Sequence, residues 1–213
     1  MTKSKAALKK IADQVEACRA CSLWRCPKAV AGEGPVDARV IFIGEAPGYH
    51  ESVQGRPFVG AAGRLLDQLL ESINLKRADV FIGNMIKHRP PNNRDPLPQE
   101  VEACRPFLDQ QIKVIKPEVI VTLGRFSLGK FLPGQYISQV HGQARRISCL
   151  GLKLVLFPLY HPAAGLRNGQ ILSSLKADFI NLGRFLRTIE GSLPEGDIEV
   201  SEKPKEEQLS LVD

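Results

Sequence analysis

Cys18 and Cys21 enclose two residues in Cys18-Arg19-Ala20-Cys21, a spacing that presents two thiolates from one turn. A closed metal site needs two further soft or imidazole ligands from elsewhere in the chain. Cys104 and His88 are candidates, with Cys26 and Cys149 as competitors. Spacing alone leaves zinc level with iron–sulfur, and leaves open a redox pair or ordinary buried thiols. A second group consists of Glu45, Asn84, His161 and Phe58. A carboxylate, an amide, an imidazole and an aromatic face are the parts needed to hold and activate a planar heterocycle. A histidine by itself is more often structural, so His161 gains weight only from this company. A third group is the stiff loop His88-Arg89-Pro90-Pro91-Asn92-Asn93-Arg94-Asp95-Pro96, which suits either a phosphate backbone or the plain task of connecting two elements.

These residues depend on the elements that carry them. Val40 to Ile43, Val80 to Ile82, Val119 to Leu123 and Leu154 to Phe157 are short apolar runs rich in β-branched and aromatic residues, the pattern of buried parallel strands. Helical patterns lie around them at Lys5 to Glu16, Ala61 to Ile73, Pro98 to Ile115, Arg125 to Phe131 and Ser173 to Ile189. The alternation predicts an α/β fold with a parallel sheet covered on both faces. In such sheets ligands bind beyond the carboxyl ends of the strands. The four runs lead into Gly44-Glu45-Ala46-Pro47-Gly48, Gly83-Asn84, Gly124-Arg125 and Tyr160-His161-Pro162, so polar residues and glycines converge on one rim.

A length of 213 residues suits one α/β domain, and 43% hydrophobic with 24% charged residues excludes wholesale disorder. The first residues carry lysines but no apolar signal region, and no apolar run is long enough to span a bilayer, so a cytoplasmic protein with no membrane role is expected. Five cysteines at uneven spacing argue against a disulfide framework. Neither G-x-G-x-x-G nor G-x-x-x-x-G-K-[ST] occurs, and the H-x-E and P-C-x-x-C signature of a zinc deaminase is absent. The net charge of +6 conceals two unlike parts. Residues 188–213 hold two lysines and eight acids and read as an acidic, disordered tail, whereas residues 1–187 carry 27 bases against 15 acids. A basic body of that kind favours a polyanionic partner.

Together the segments Gly44-Glu45-Ala46-Pro47-Gly48-Tyr49-His50-Glu51, Gln54-Gly55-Arg56-Pro57-Phe58-Val59-Gly60, Asn84-Met85-Ile86-Lys87 and His161-Pro162-Ala163-Ala164-Gly165-Leu166-Arg167 resemble the motifs of the family 4 uracil-DNA glycosylases, iron–sulfur enzymes of base-excision repair. The match runs in order from about Cys18 to Arg187. The resemblance implies a three-layer α/β/α sandwich with a four-stranded parallel sheet, acting on uracil-containing DNA. Deoxyuridine would be flipped into the pocket and its glycosidic bond hydrolysed through an oxocarbenium-like state, leaving an abasic site. By similarity Phe58 stacks on the base, Asn84 reads its edge, His161 stabilises charge on O2, and backbone groups of Gly44, Glu45 and Ala46 line the pocket. Glu51 or Glu45 would handle the attacking water, a choice that the sequence leaves open. Leu166 would fill the gap left in the DNA stack, with Arg167 and Arg94 on phosphates.

One departure concerns the metal. The family's four cysteines correspond to Cys18, Cys21, a position occupied here by His88, and Cys104. The resemblance therefore implies a [4Fe–4S] cluster held by three thiolates and the His88 imidazole, in preference to zinc. A neutral ligand in place of an anionic one should raise the cluster potential. The short loop carries no inserted histidine for covalent capture, and no lysine is placed for lyase chemistry, so a monofunctional, multiple-turnover, monomeric enzyme is expected. In the tail, Gln208-Leu209-Ser210-Leu211-Val212 resembles the peptide with which bacterial repair proteins dock on the sliding clamp. The rival reading is a non-catalytic nucleic-acid-binding protein with an iron–sulfur or zinc centre.

Overall fold

In the computed structural model, which describes residues 2–188 and 198–200, six strands form one sheet in the order β2-β1-β3-β5-β4-β6. The strands are β1 (Val40–Gly44), β2 (Phe81–Asn84), β3 (Val119–Leu123), β4 (Arg145–Cys149), β5 (Leu152–Leu159) and β6 (Ile198–Glu199). The four expected strands are β1, β2, β3 and β5, and they pair in parallel. The expected count of four is therefore short by two. β4 turns back antiparallel onto β5 through Leu150 and Gly151, both at positive φ. Its sequence, Arg-Arg-Ile-Ser-Cys, hides the strand because only Ile147 and Cys149 face the core. β6 then pairs in parallel with β4. The segment expected to be wholly disordered beyond Thr188 thus includes one strand, and the Val200 that follows it is buried in the core.

Parallel strands buried on both faces explain the near-continuous apolar runs. Val40, Phe42, Val119, Val121, Val155 and Phe157 point to one side. There they meet α3 (Ala61–Glu71) and α8 (Gly169–Thr188), through Leu66, Leu70, Leu175, Phe179 and Leu182. Ile41, Ile43, Ile120 and Leu156 point to the other side, against α4 (Pro98–Ile115) and α5 (Arg125–Phe131). α1 (Lys3–Ala17) packs outside α4. The remaining short helices are α2 (Tyr49–Gln54), α6 (Ile137–Val140) and α7 (Pro162–Gly165). This is the expected layering of helices, sheet and helices. Among the described residues no helix is long and apolar enough to cross a membrane.

The α8 layer is fastened by Phe179, whose ring stacks on Phe42 at 6.1 Å and 13° and is fully buried. Truncating a buried aromatic removes both its transfer energy and its packing. Phe179→Ala is expected to lower the unfolding free energy by about 3–5 kcal/mol in a denaturant titration. A loss below about 1 kcal/mol would show that α8 is not held by this contact.

Candidate functional site

The parallel register sets Gly44, the last residue of β1, beside Asn84, the last of β2. A Cβ at position 44 would collide with Asn84 Oδ1 and lie 2.7 Å from Phe58 Cζ. Only glycine lets the amide and the phenyl ring share this corner. Asn84 is 1% exposed, and its Oδ1 is buried with no hydrogen-bond partner in the protein. An orphaned buried acceptor is costly, and this one lies open to a donor from outside the protein.

Phe58 has a φ of 51°, a left-handed conformation that a bulky side chain rarely adopts. Side chains hold it there. Arg77 donates to the carbonyl oxygens of Pro57 and Phe58, at 3.1 Å for the latter. Glu51 Oε1 accepts from the amides of Val59 and Gly60, both at 2.9 Å. Arg77 is itself anchored on Glu33 at 2.7 Å and on Asp67 at 3.1 Å. Glu33 also holds Arg56 at 2.8 Å, and these two arginines keep its carboxyl below the usual range against the opposing effect of burial. Phe58 then lies against the His161 ring, with centroids 5.6 Å apart and planes at 26°.

His161 follows β5, and its Cβ packs on Gly124 at the end of β3. Burial, helped by the nearby Arg167 charge and opposed by Glu51, lowers its pKa to about 4, so the ring is neutral at physiological pH. The Ala163 amide donates to Nδ1 at 3.1 Å. That bond makes Nδ1 the acceptor and places the ring proton on Nε2, available as a donor. Glu45 lies on the same rim. Burial raises its pKa to about 7, with Asp95 adding to the shift and Arg125 opposing it.

The structure therefore gathers Gly44, Glu45, Glu51, Phe58, Asn84 and His161 at one end of the sheet. The Ala46 side chain packs toward Leu23, Ile86 and Cys104, and the role expected of this residue is one for its backbone. Arg94, expected on a phosphate, makes a two-bond pair with the buried Glu100, at 2.7 and 2.9 Å, and stays partly exposed. Leu166 is 52% exposed next to the His161 turn and is not a packing residue, and Arg167 is exposed beside it. Sequence spacing held no sign of Arg77 or Glu33, which lie far along the chain from the turn they hold.

Behind this corner Cys21 packs with Leu23, Ile86 and the buried Cys104. Cys18 lies within electrostatic range of both thiols. His88 is 3% exposed and makes no hydrogen bond among the described residues, and burial together with Arg19 keeps its imidazole neutral. Cys26 Sγ instead meets the Lys28 carbonyl at 3.3 Å, and Cys149 lies in β4. Among the described residues no three His, Cys, Asp or Glu side chains converge closely enough to hold a single metal ion. Three thiols and a buried imidazole with no protein partner among the described residues are a donor set that suits an iron–sulfur cluster or zinc. The clamp-like peptide around Gln208, Leu209 and Leu211 lies outside the described residues.

Comparison with known proteins gives this geometry a family. Residues 31–181 match the family model described as the uracil DNA glycosylase superfamily. A type-4 uracil-DNA glycosylase of Saccharolobus solfataricus is 47% identical over 176 residues, covering 79% of this chain and 82% of the relative. Type-4 enzymes of Sulfurisphaera tokodaii and Archaeoglobus fulgidus are 46% and 43% identical, each over 81% of this chain and over 81% and 90% of their own lengths. The matched region holds the glycine corner, the clasped Phe58 turn and the His161 loop alike, and the chain belongs to the type-4 uracil-DNA glycosylases.

Proposed function

We propose that the corner between β1 and β2 takes uracil flipped from DNA and that this chain hydrolyses the bond joining the base to deoxyribose. The observation that carries the reading is the buried, unpartnered Asn84 Oδ1 beside Phe58. Uracil N3–H supplies the missing donor and O4 faces the amide NH2, whereas cytosine presents the reverse pattern and leaves buried groups unpaired. Phe58 stacks on the ring. His161 donates from Nε2 to O2 as the departing base gains negative charge, and because the Ala163 amide occupies Nδ1 the neutral ring keeps its proton on Nε2 throughout the physiological range. Leu166 and Arg167 face the DNA, the first as a wedge and the second toward a phosphate.

Of the two carboxylates, Glu45 is assigned to the water. Glu51 is occupied in accepting two main-chain amides, which makes it a positioning residue for Phe58. Glu45 has a pKa near neutrality, suited to a general base. The metal reading is a [4Fe–4S] cluster on Cys18, Cys21, Cys104 and His88. Such a cluster ties the N-terminal segment to the loop and to α4, and supplies no step of the hydrolysis.

Incubation with a uracil-containing oligonucleotide, followed by alkaline cleavage at abasic sites, tests the site. His161→Ala and Asn84→Ala are each expected to lose about 10²–10³-fold in kcat, and full activity in either would remove that residue from its role. The pH profile tests Glu45. Its raised pKa leaves it protonated below about 7, so kcat should climb to a plateau above that value, and Glu45→Gln should remove the climb. The same shift means that charging Glu45 costs folding energy, so Glu45→Gln should raise Tm at pH 8 and change it much less at pH 5. For the metal, His88→Ala should lower iron and sulfide per chain, while His88→Cys should retain them with a more negative midpoint potential. Unchanged iron in His88→Ala would remove His88 from the ligand set.

A further inference from the structure

Lys87 is fully buried, and among the described residues no carboxylate pairs with it. An ammonium in the core without a counter-ion is unfavourable where an apolar side chain of the same length would pack. Two of its protons are directed. Nζ donates to the main-chain carbonyl of Asn84 at 2.8 Å and to Gln111 Oε1 at 2.8 Å. Gln111 is held in turn, its Nε2 donating to the Ala31 carbonyl at 2.6 Å. The Lys87 backbone is fixed as well, its carbonyl accepting from Val30 at 2.8 Å and its amide meeting Cys104 Sγ at 3.4 Å.

The bond to Asn84 completes a peptide held from both sides, the Met85 amide donating to the Gly44 carbonyl at 3.0 Å and the Asn84 carbonyl accepting from Lys87. β2 ends at Asn84, and the chain has to turn immediately afterwards toward the His88 loop. The orientation of the Asn84–Met85 peptide decides where the Asn84 side chain points. A charged donor reaching back three residues locks that peptide more strongly than a neutral one. We propose that Lys87 is a positioning residue for base recognition, its ammonium fixing the Asn84 main chain so that the side-chain amide faces the base. This rests on the reading of Asn84 as the residue that contacts uracil.

A double-mutant cycle separates this role from a general effect on the fold. Lys87→Met and Gln111→Leu are each combined with Asn84→Ala in the full chain, and kcat/KM is measured on a single-stranded uracil oligonucleotide. Lys87→Met is expected to cost about tenfold to a hundredfold alone and less than about twofold once Asn84 is alanine. Gln111→Leu, which keeps the ammonium but frees it from one partner, should cost less and be absorbed in the same way. It carries the test if Lys87→Met does not fold. Equal losses in both backgrounds would overturn the proposal. An Asn84→Ala enzyme as active as the unaltered chain would overturn both the recognition reading and the proposal, and is distinct from an impaired Asn84→Ala in which the losses multiply.

Discussion

The close approach of Asn84 and Phe58 over Gly44 is the constraint on which the rest of the site depends. Parallel pairing of β1 with β2 puts residues 44 and 84 side by side, and a single methyl group at position 44 would occupy the space of both neighbours. Strand ends are good places for such a corner because the ladder fixes their positions while the side chains beyond it are free to face a ligand. The corner has its cost. Phe58 must hold a left-handed backbone, and the two carbonyls and two amides around it are satisfied by Arg77 and Glu51 instead of by regular structure. Strain of this kind persists only where surrounding groups over-determine it.

Electrostatics are set by the same enclosure. Burial that hides Asn84 from water also holds His161 neutral and brings Glu45 near pH 7. These shifts suit the chemistry. A neutral imidazole donates one hydrogen bond to a developing anion without attracting a phosphate, and a carboxylate with a pKa near 7 is basic enough to polarise water. Each is unfavourable for folding at one end of the pH range. His161 gives up stability as pH falls from about 6.5 through about 4, because the unfolded chain takes up the proton first. Glu45 gives it up as pH rises through about 7. The two apolar layers around the sheet offset both.

Much of this was legible in the chain. The four central strands announced themselves because both of their faces are buried, and the rim residues could be found at the carboxyl end of each apolar run. β4 could not be found that way, since arginines and a serine alternate with its inward residues, nor could β6, a two-residue strand in an acidic stretch. Motif resemblance located Phe58, Asn84 and His161. It did not reveal the supports, because Arg77 lies 19 residues from Phe58 and Gln111 lies 24 from Lys87. Such partners are set by three-dimensional folding and leave no local period. Arg94 is a further case of a partner that the loop sequence did not announce: its guanidinium pairs with the buried Glu100.

The five residues Asn84 to His88 bring these lines together. Asn84 faces the pocket corner, Met85 and Ile86 enter two different apolar clusters, Lys87 spans Asn84 and α4, and His88 is the ligand proposed beside the three thiols. In so short a segment the backbone cannot shift at one end without moving the other. A metal centre on Cys104 and His88 would therefore bear on recognition without taking part in the reaction. It would fix the far end of the segment whose near end faces uracil, and the Lys87 amide on Cys104 Sγ is the contact that transmits this restraint. On the proposed reading, the position of the thiols behind the pocket would have a mechanical reason: with Lys87 at one end and a metal centre at the other, both ends of the strand exit that carries Asn84 would be anchored.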